Sequence, residues 1–191
     1  MVDIGGGTTD IAVIALSGVV RAKSLKVAGD KLTEDIIAYM RDEFKMLIGE
    51  KTGEYIKMTI GSALPDENGE ELSVKGRDLV TGLPREAVIT DVDIREAMYN
   101  SISQLVDAIR EVLETTPPEV LADIMQKGMT LSGGGALIRN LPQLLEMQLK
   151  VPVTVSDDPL TAVARGTGVI LEDIEKYKDV LIENTNDISF R

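Results

Sequence analysis

Two glycine triplets constrain the fold of this chain more than any other feature of its sequence. Gly5-Gly6-Gly7 follows an apolar start at residues 1–4, and Gly133-Gly134-Gly135 follows the apolar segment 129–131. Short apolar runs that end in turn residues are typical of buried strands, so each triplet is predicted to follow a strand. The first triplet is predicted to lead into another strand and the second into a helix.

Both triplets are candidate binding turns for a phosphorylated ligand. Consecutive glycines let backbone N–H groups line a concavity and let a bulky anion approach closely. The hydroxyls of Thr8 and Thr9 beside the first triplet suit phosphate oxygens. The second triplet, at a helix N-terminus, suits a ribose, a base or a phosphate. One triplet alone is as easily a tight turn without a ligand, but two at strand ends in one acidic chain favour binding.

Asp3 lies at the end of the first predicted strand, just before the first triplet. A carboxylate beside a phosphate-binding turn is the arrangement that places hydrated Mg²⁺ against a nucleotide. An aspartate that only stabilises its own turn is the alternative. Neither triplet fits the Gly-x-x-x-x-Gly-Lys-Ser/Thr or the Gly-x-Gly-x-x-Gly pattern, so nothing supports a P-loop or a Rossmann site.

Composition narrows the chemistry that such a site can use. The sequence has no His, Cys or Trp, which excludes Ser-His-Asp and Cys-His nucleophilic sites as well as ordinary zinc sites. A metal would therefore be held by oxygen, as Mg²⁺ and Ca²⁺ are. The 32 acidic residues outnumber the 20 basic ones, and the resulting charge of −12 opposes nucleic-acid binding. No apolar run approaches the roughly 20 residues of a transmembrane helix, and no basic signal-peptide start is present.

Turn residues and apolar periodicity predict the order of the elements. The predicted strands lie at residues 1–4, 11–16, 19–27, 72–76, 87–90, 129–131 and 152–155. The predicted helices cover residues 32–48, 51–60, 93–114, 118–125, 137–149 and 159–171. The predicted helix caps are Asp30, Asp91 or Asp93, and Asp157-Asp158. Four acidic residues are predicted to lie at a solvated hairpin tip, namely Asp66, Glu67, Glu70 and Glu71.

This order favours an α/β fold with a smaller α+β part inserted in the middle. The predicted larger unit is split between residues 1–29 and 94–175, and the inserted unit covers residues 30–93. Residues 176–191 are predicted to form a charged, frayed tail.

Residues 3–10 (Asp-Ile-Gly-Gly-Gly-Thr-Thr-Asp) resemble the second phosphate motif of the superfamily of actins, heat-shock chaperones and sugar kinases, and residues 131–137 resemble its adenosine motif. The resemblance implies an actin-like (ribonuclease H-like) ATPase fold. Within the superfamily, other stretches resemble the MreB family of bacterial actin-like rod-shape proteins. They are residues 28–30, 48–52, 81–85, 116–119 and 158–166.

The resemblance implies that ATP or ADP and Mg²⁺ are the ligands, and it assigns roles to particular residues. Asp3 would hold Mg²⁺ through water, and Gly29 would lie near the nucleotide where the chain enters the smaller unit. Glu54 and Lys57 would contact ribose and adenine, with a solvated surface ion pair as the alternative. Phosphate contacts are implied for Gly5, Gly6, Gly7, Thr8 and Thr9, and adenosine contacts for Gly133, Gly134 and Gly135.

Two further positions qualify this assignment. Tyr55 stands between Glu54 and Lys57 where many relatives carry Arg, so the adenine contacts are expected to differ. Leu137 has a family neighbour near the base, but we expect a leucine of the hydrophobic core at this position.

The resemblance also implies a function for the intact protein. That function is a cell-shape-determining cytoskeletal role, in cytoplasmic, membrane-associated filaments that direct cell-wall synthesis. The implied partners are further copies of the protein and a membrane-anchored adaptor, not nucleic acid. The alternatives are a partner-binding or assembly module without nucleotide turnover, or half of another ATPase or kinase of the superfamily.

The resemblance covers only the second of the two domains of this family. The first phosphate motif, its metal-binding Asp, the acidic residue that orients the attacking water and the membrane-inserting segments belong to the other domain. We therefore expect that this chain alone neither hydrolyses ATP at a family-like rate nor forms normal filaments, so its own enzymatic activity stays open.

Overall fold

The computed structural model describes residues 1–15, 18–66 and 69–177. Within those residues the chain forms two β-sheets and six α-helices. Three sequence predictions lie partly outside them: the last residue of the predicted strand 11–16, the solvated position of Glu67, and the tail from residue 178 onward.

The strands of the two sheets are β1 Val2–Ile4, β2 Thr9–Ala15, β3 Gly18–Leu25, β4 Met46–Leu47, β5 Glu71–Asp78, β6 Pro84–Thr90, β7 Met129–Ser132 and β8 Val153–Val155. The larger sheet has five strands, in the spatial order β3-β2-β1-β7-β8. Strand β1 pairs antiparallel with β2 but parallel with β7, which in turn is parallel to β8. The smaller sheet is antiparallel, in the order β4-β5-β6.

The helices connect these strands and cover the core. Their bounds are α1 Gly29–Asp42, α2 Glu50–Ile60, α3 Asp91–Glu114, α4 Pro118–Lys127, α5 Leu141–Leu149 and α6 Ala162–Glu172. A 3₁₀ turn at Gly134–Leu137 precedes α5. The order of elements confirms the predicted α/β class, with two sheets of different connectivity.

Helix α3 carries the apolar stripe that its sequence predicts. Its residues at helical spacing are buried, namely Ile94, Met98, Ile102, Leu105, Ile109 and Val112. The helix contacts β2 and β3 of the larger sheet as well as α1 and α2. Burying such a stripe gives most of the stability of a helix of this kind.

The start of α3 corrects the predicted cap. Thr90 is the N-cap: its hydroxyl accepts a hydrogen bond from the N–H of Asp93, and the Asp93 carboxylate accepts from the N–H of Thr90. This is a reciprocal capping box, so Asp93 belongs to the first turn and Asp91 to the first helical position.

The first helix is shorter than its apolar spacing predicts. Helix α1 ends at Asp42, and Lys45 adopts a left-handed conformation with φ of 51°. Met46 is then fully buried in β4, opposite Asp78 of β5. The predicted cap is also wrong, because Asp30 lies in the first turn and the N-cap position is Ala28, which makes no side-chain cap.

The predicted helix at residues 137–149 is divided in two. After the 3₁₀ turn, Asn140 takes a left-handed conformation, and α5 starts afresh at Leu141 with Pro142 in its first turn. Proline is well suited to a helix start because it lacks the N–H that would be unpaired there. Helix α6 likewise starts at Ala162, and Asp158 accepts a hydrogen bond from the Thr161 hydroxyl without capping the helix.

The acidic segment before β5 is not a purely solvated tip. Arg139 forms an ion pair with Glu70 at 2.7 Å and approaches Asp66 at 3.9 Å. The backbone of Arg139 also pairs with Ser62 in an isolated β-bridge. This contact joins the segment between α2 and β5 to the loop before α5.

Tyr39 joins α1 to the first turns of α3. Its hydroxyl donates toward Glu96 at 3.2 Å and lies 3.4 Å from Asp93. Burial, followed by the negative charges of Asp93 and Glu96, raises the pKa of Tyr39 from 10.0 to about 12. Because the folded-state pKa is the higher one, this contribution to stability is complete below pH 10 and is lost as the pH rises through about 12.

We expect the ionisation of Tyr39 to appear as a late phase, near pH 12, in an ultraviolet absorbance titration toward alkaline pH. Tyr39→Phe should remove this late phase. Tyr99→Phe, which changes an exposed ring on α3, should leave it in place. A late phase that persists in Tyr39→Phe would contradict the assignment.

Within the part of the chain that the structure describes, no helix combines the length and the apolar character needed to cross a membrane.

Candidate functional site

The two glycine triplets meet at one edge of the larger sheet. Strands β1 and β7 are parallel neighbours, so their carboxyl ends lie side by side, and each runs into one triplet. A β-carbon added to Gly133 would lie 2.3 Å from the Ile4 carbonyl oxygen and 3.0 Å from a carboxylate oxygen of Asp3. One added to Gly135 would lie 2.2 Å from the Ile4 side chain. The carboxyl ends of parallel strands are the usual place for a ligand crevice in an α/β sheet.

The first triplet forms a turn that leaves backbone donors unused. The N–H of Gly5 donates to the Thr8 carbonyl at 2.9 Å and closes the turn. The N–H groups of Gly6, Gly7 and Thr8 have no hydrogen-bond partner among the described residues, and all three residues are exposed. Three successive unpaired amides on an exposed turn can bind an anion.

The two threonines after the triplet have different surroundings. Thr8 is exposed, and its hydroxyl donates to Asp10 at 3.1 Å. Thr9 is fully buried, and its hydroxyl donates to the Val27 carbonyl at 2.7 Å. The structure therefore places Thr8 at the surface of the turn and Thr9 inside the fold, where it fixes the start of β2.

Asp3 lies between the two turns. It is partly buried, and one of its carboxylate oxygens accepts a hydrogen bond from the Ser132 hydroxyl at 2.7 Å. The second oxygen has no partner among the described residues. No three acidic side chains in those residues come together as a direct metal cluster. A cation here would have to share its coordination with water and with oxygens of a bound ligand.

The start of α1 forms the next side of the site. The N–H of Gly29 donates to the Gly5 carbonyl at 3.0 Å, and the N–H of Asp30 donates to the Gly6 carbonyl at 2.9 Å. A β-carbon on Gly29 would lie 3.3 Å from the Gly5 oxygen, so glycine permits this close approach. The Asp30 carboxylate lies beside Gly6, 3.4 Å from the position of an added β-carbon.

Helix α2 contributes an ion pair to the same region. Lys57 Nζ lies 2.7 Å from Glu54 Oε2 and donates to the Gly29 carbonyl at 2.8 Å. The Lys57 side chain is only 9% exposed, whereas that of Glu54 is 46% exposed. Lys57 is therefore buried and Glu54 partly exposed, and the pair lies beside the glycine turn. This arrangement differs from the solvated surface pair that the sequence spacing also allows.

The surroundings of Glu54 favour its charged form. Burial alone would raise the pKa of the Glu54 carboxyl, but hydrogen bonds from Lys57 and Thr33, together with the Lys57 charge, outweigh that effect. The pKa of Glu54 is consequently below its usual value, so Glu54 is an anion at neutral pH.

The second triplet and its neighbours form the remaining side of the candidate site at this edge of the larger sheet. The N–H of Gly133 donates to the Pro159 carbonyl at 2.8 Å, and Gly134 lies next to the Leu160 side chain. Leu137 is 56% exposed, so the expectation of a core leucine is wrong. The 3₁₀ turn replaces the predicted helical start and directs this side chain outward.

Three residues of the site escaped the sequence reasoning. Ser132 orients Asp3, Asp30 lies against Gly6, and Thr33 bonds to both Glu54 and Lys57. Thr33 had a usable signal, because it is a polar residue on the buried face of α1, beside Leu32 and Ile36. Ser132 and Asp30 lie in the stretches 131–137 and 28–30 that carry the family resemblance, but their contacts with Asp3 and Gly6 have no local signal because these partners are distant in the sequence.

Comparison with known proteins identifies the family. A family model described as "MreB/Mbl protein" matches residues 1–179. The chain belongs to the MreB/Mbl family. Among the curated members it is similar to the cell shape-determining protein Mbl of Bacillus subtilis, with 48% identity over 92% of this chain and 53% of that protein. It is also 48% identical to the cell shape-determining protein MreB of Escherichia coli, over 93% of this chain and 51% of that protein.

Solved structures of similar proteins share the fold. MreB5 of Spiroplasma citri, determined with AMPPNP and with ADP, matches with a TM-score of 0.88, 42% identity and coverage of 93% of this chain and 54% of that one. A double helical filament of MamK matches with a TM-score of 0.75 and 25% identity, over 90% of this chain and 53% of MamK. These matches confirm the actin-like fold. The chain spans about half the length of the relatives that it matches.

Proposed function

We propose that this MreB/Mbl-family chain is the nucleotide-binding part of an actin-like protein that determines cell shape. The observation that carries the proposal is the meeting of the two glycine turns at the carboxyl ends of β1 and β7, beside Asp3. The names of the curated relatives and the AMPPNP and ADP complexes of the Spiroplasma relative support it.

The proposed ligand is ATP or ADP. The unpaired N–H groups of Gly6, Gly7 and Thr8 would bind phosphate oxygens, while the N–H of Gly5 keeps the turn closed. The exposed part of Glu54 would contact the ribose, and the Gly133–Gly135 turn would lie against the adenosine. Such a site works by positioning and by charge stabilisation, and it needs neither His nor Cys.

Mg²⁺ is the proposed companion of the nucleotide. The oxygen of Asp3 that does not bond to Ser132 has no other partner among the described residues, and it would accept a hydrogen bond from a metal-bound water. When bound, the cation would neutralise charge on the phosphates. That role matters here, because Asp3, Asp10 and Asp30 all lie around the glycine turn and would otherwise repel a polyphosphate.

The proposed assembly is a filament of further copies of the protein. Support comes from the MamK relative, whose structure is a double helical filament. We further propose a cytoplasmic protein whose filaments contact a membrane-anchored adaptor. Membrane association would come from that partner or from a domain outside this chain.

Nucleotide titrations test the binding proposal. We expect ATP to bind in the presence of Mg²⁺ and to lose about tenfold in affinity when Mg²⁺ is chelated, which corresponds to about 1.4 kcal/mol. Asp3→Asn should remove most of this Mg²⁺ dependence, because a neutral amide attracts a hydrated cation poorly. Isothermal calorimetry with and without a chelator measures both effects.

Asp123→Asn is the matched control, since Asp123 pairs with Lys127 on the surface of α4. Its ATP affinity and Mg²⁺ dependence should equal those of the unmodified chain. Absence of ATP binding at millimolar nucleotide would overturn the proposed function. Equal Mg²⁺ dependence in Asp3→Asn and in the unmodified chain would overturn the role of Asp3.

A further inference from the structure

The proposed nucleoside site has two walls that belong to different parts of the fold. One wall is the second glycine turn, which follows β7 of the larger sheet. The other is α2, which carries Glu54 and Lys57 and packs against α1. The two walls are distant in the sequence, so only contacts across the fold can fix their spacing. A fixed spacing lowers the free-energy cost of binding a ligand between them.

Backbone contacts join the end of α2 to the chain that leaves the second glycine turn. The N–H of Gly61 donates to the Lys57 carbonyl at 3.0 Å, so the residues that follow continue directly from the last turn of α2. The N–H of Ala63 then donates to the Arg139 carbonyl at 2.8 Å, and Ser62 forms the isolated parallel bridge with Arg139. Arg139 itself follows closely after the 3₁₀ turn that contains the end of the triplet.

The Asn140 side chain adds a second connection between the same two segments. Asn140 is the N-cap residue of α5, and asparagine is a good cap, yet its side chain makes no cap hydrogen bond. Its Nδ2 donates instead to the Ser62 hydroxyl at 2.9 Å. Ser62 is fully buried and gives its own proton to the Leu64 carbonyl at 2.7 Å, which leaves its oxygen to accept from Asn140. Asn140 therefore stabilises a contact across the fold in place of its own helix.

The Arg139 side chain extends the connection to the start of α3. Its guanidinium pairs with Glu70 at 2.7 Å. The Glu70 carbonyl accepts from the N–H of Asp91 at 2.9 Å, and the Glu70 N–H donates to the Asp91 carboxylate at 3.2 Å. Asp91 also accepts from Arg95 at 3.1 Å. The segment after α2 is therefore bonded both to α3 and to the loop before α5.

The contacts of Ser62, Ala63 and Glu70 with Arg139 and Asn140 are called the clamp below. We infer that the clamp sets the spacing between the second glycine turn and α2, so that Arg139 and Asn140 are positioning residues for the nucleoside part of the ligand. This inference rests on the proposed nucleotide function and specifies which part of the ligand depends on these contacts.

The phosphate part of the site is built without the clamp. The first glycine turn is closed by the hydrogen bond from Gly5 to Thr8, and it is held against α1 by the N–H groups of Gly29 and Asp30. None of these hydrogen bonds involves a residue of the clamp. Loosening the clamp should therefore weaken the binding of a nucleotide and leave the binding of a phosphate-only ligand unchanged. Pyrophosphate serves as that ligand.

Asn140→Gly tests the inference, because glycine adopts the φ of 60° without strain and removes only the bond to Ser62. Amide hydrogen exchange of Ala63, measured by NMR without ligand, should become about fivefold faster, as the loss of one hydrogen bond implies. In calorimetric titrations with Mg²⁺, the ADP affinity should fall by a similar factor. The pyrophosphate affinity should equal that of the unmodified chain.

Lys150→Gly is the matched control. Lys150 also has a left-handed backbone, with φ of 57°, but it is exposed at the end of α5. This change should alter neither the exchange of Ala63 nor the ADP affinity. If Asn140→Gly fails to fold, Arg139→Met replaces it, since it breaks the partly exposed pair with Glu70. Its control is Arg110→Met, which breaks the surface pair with Asp107 on α3.

Three results would overturn the inference. Unchanged exchange of Ala63 in the folded variant would show that the clamp does not hold the two segments together. Faster exchange with unchanged ADP affinity would show that their spacing does not matter for binding. An equal fall in ADP and pyrophosphate affinity would indicate a general loss of structure at the site. An unmodified chain that binds neither ligand contradicts the proposed function instead, and the exchange of Ala63 then still decides whether the clamp joins α2 to the loop before α5.

Discussion

Replacing Gly133 with alanine is expected to destabilise the protein by about 3 kcal/mol, a large effect for a single methyl group. Gly133 has φ of 78° and ψ of 167°, a conformation that is essentially restricted to glycine and costs another residue on the order of 1–3 kcal/mol. The added β-carbon would also lie 2.3 Å from the Ile4 carbonyl oxygen, so strand β1 or the turn would have to move. Because Asp3 lies at 3.0 Å from the same position, the movement would also disturb the site.

Gly134→Ala is the matched control for this prediction. Gly134 has no positive φ, and a β-carbon there would meet only the Leu160 side chain at 3.4 Å, an ordinary contact with a flexible, exposed residue. We expect a change of less than about 0.5 kcal/mol. Urea unfolding followed by circular dichroism measures both variants. Equal stability of the two would show that the turn after β7 is free to move.

The two triplets show how far sequence reasoning reaches. Their position after β1 and β7 follows from local pattern, since each apolar run stops at glycine. The local pattern does not predict how the two turns differ in backbone conformation. No residue of the first triplet has a positive φ, whereas Gly133 has a positive φ and lies in close contact with Ile4. That contact depends on the parallel pairing of β1 with β7, and these strands are far apart in the sequence.

The errors in the predicted element boundaries also arise because contacts that the local pattern does not contain determine where an element ends. Phe44, Leu47 and Ile48 continue the helical spacing of α1, so the local pattern extends the predicted helix through Met46. The structure instead buries Met46 in the smaller sheet, where its partner Asp78 lies on another strand. The sequence predicts Asp91 or Asp93 as the cap of α3 in place of Thr90, because Thr and Asp are both good caps and only the reciprocal hydrogen bonds distinguish them.

The Glu54–Lys57 pair was predictable as a pair but not as a buried one. A spacing of three on a helix places the two side chains on one face. Which face is buried depends on the packing of α2 against α1, where Thr33 and Gly29 supply the oxygens around Lys57. The candidate residues of the site are therefore predicted by motif, whereas their burial and their hydrogen-bond partners become visible only with the fold.

Lys57→Met is expected to destabilise the protein by about 2 kcal/mol, which is the second large effect. Methionine fills much of the space of the lysine stem but leaves the Gly29 carbonyl and the Thr33 hydroxyl without their donor. It also leaves Glu54 without its positive neighbour. The value stays below that of a fully buried ion pair because Glu54 is 46% exposed and water can solvate it. Lys51→Met, at an exposed position of the same helix, should change the stability by less than about 0.5 kcal/mol.

The pH dependence of the stability difference between the unmodified chain and Lys57→Met distinguishes the effect of the Lys57 charge from that of the packing of its stem. The pKa of Glu54 is lowered in the folded protein, so its pairing with Lys57 stabilises the fold above the ordinary pKa of 4.5 and is lost as the pH falls through the lower, folded-state pKa. The stability gap between the unmodified chain and Lys57→Met should therefore be largest near neutral pH and shrink below pH 4.5. Urea unfolding at a series of pH values measures the gap. A gap that is constant across the acid range would mean that Lys57 acts through the packing of its stem, and the charged network around Gly29 would then have no energetic role.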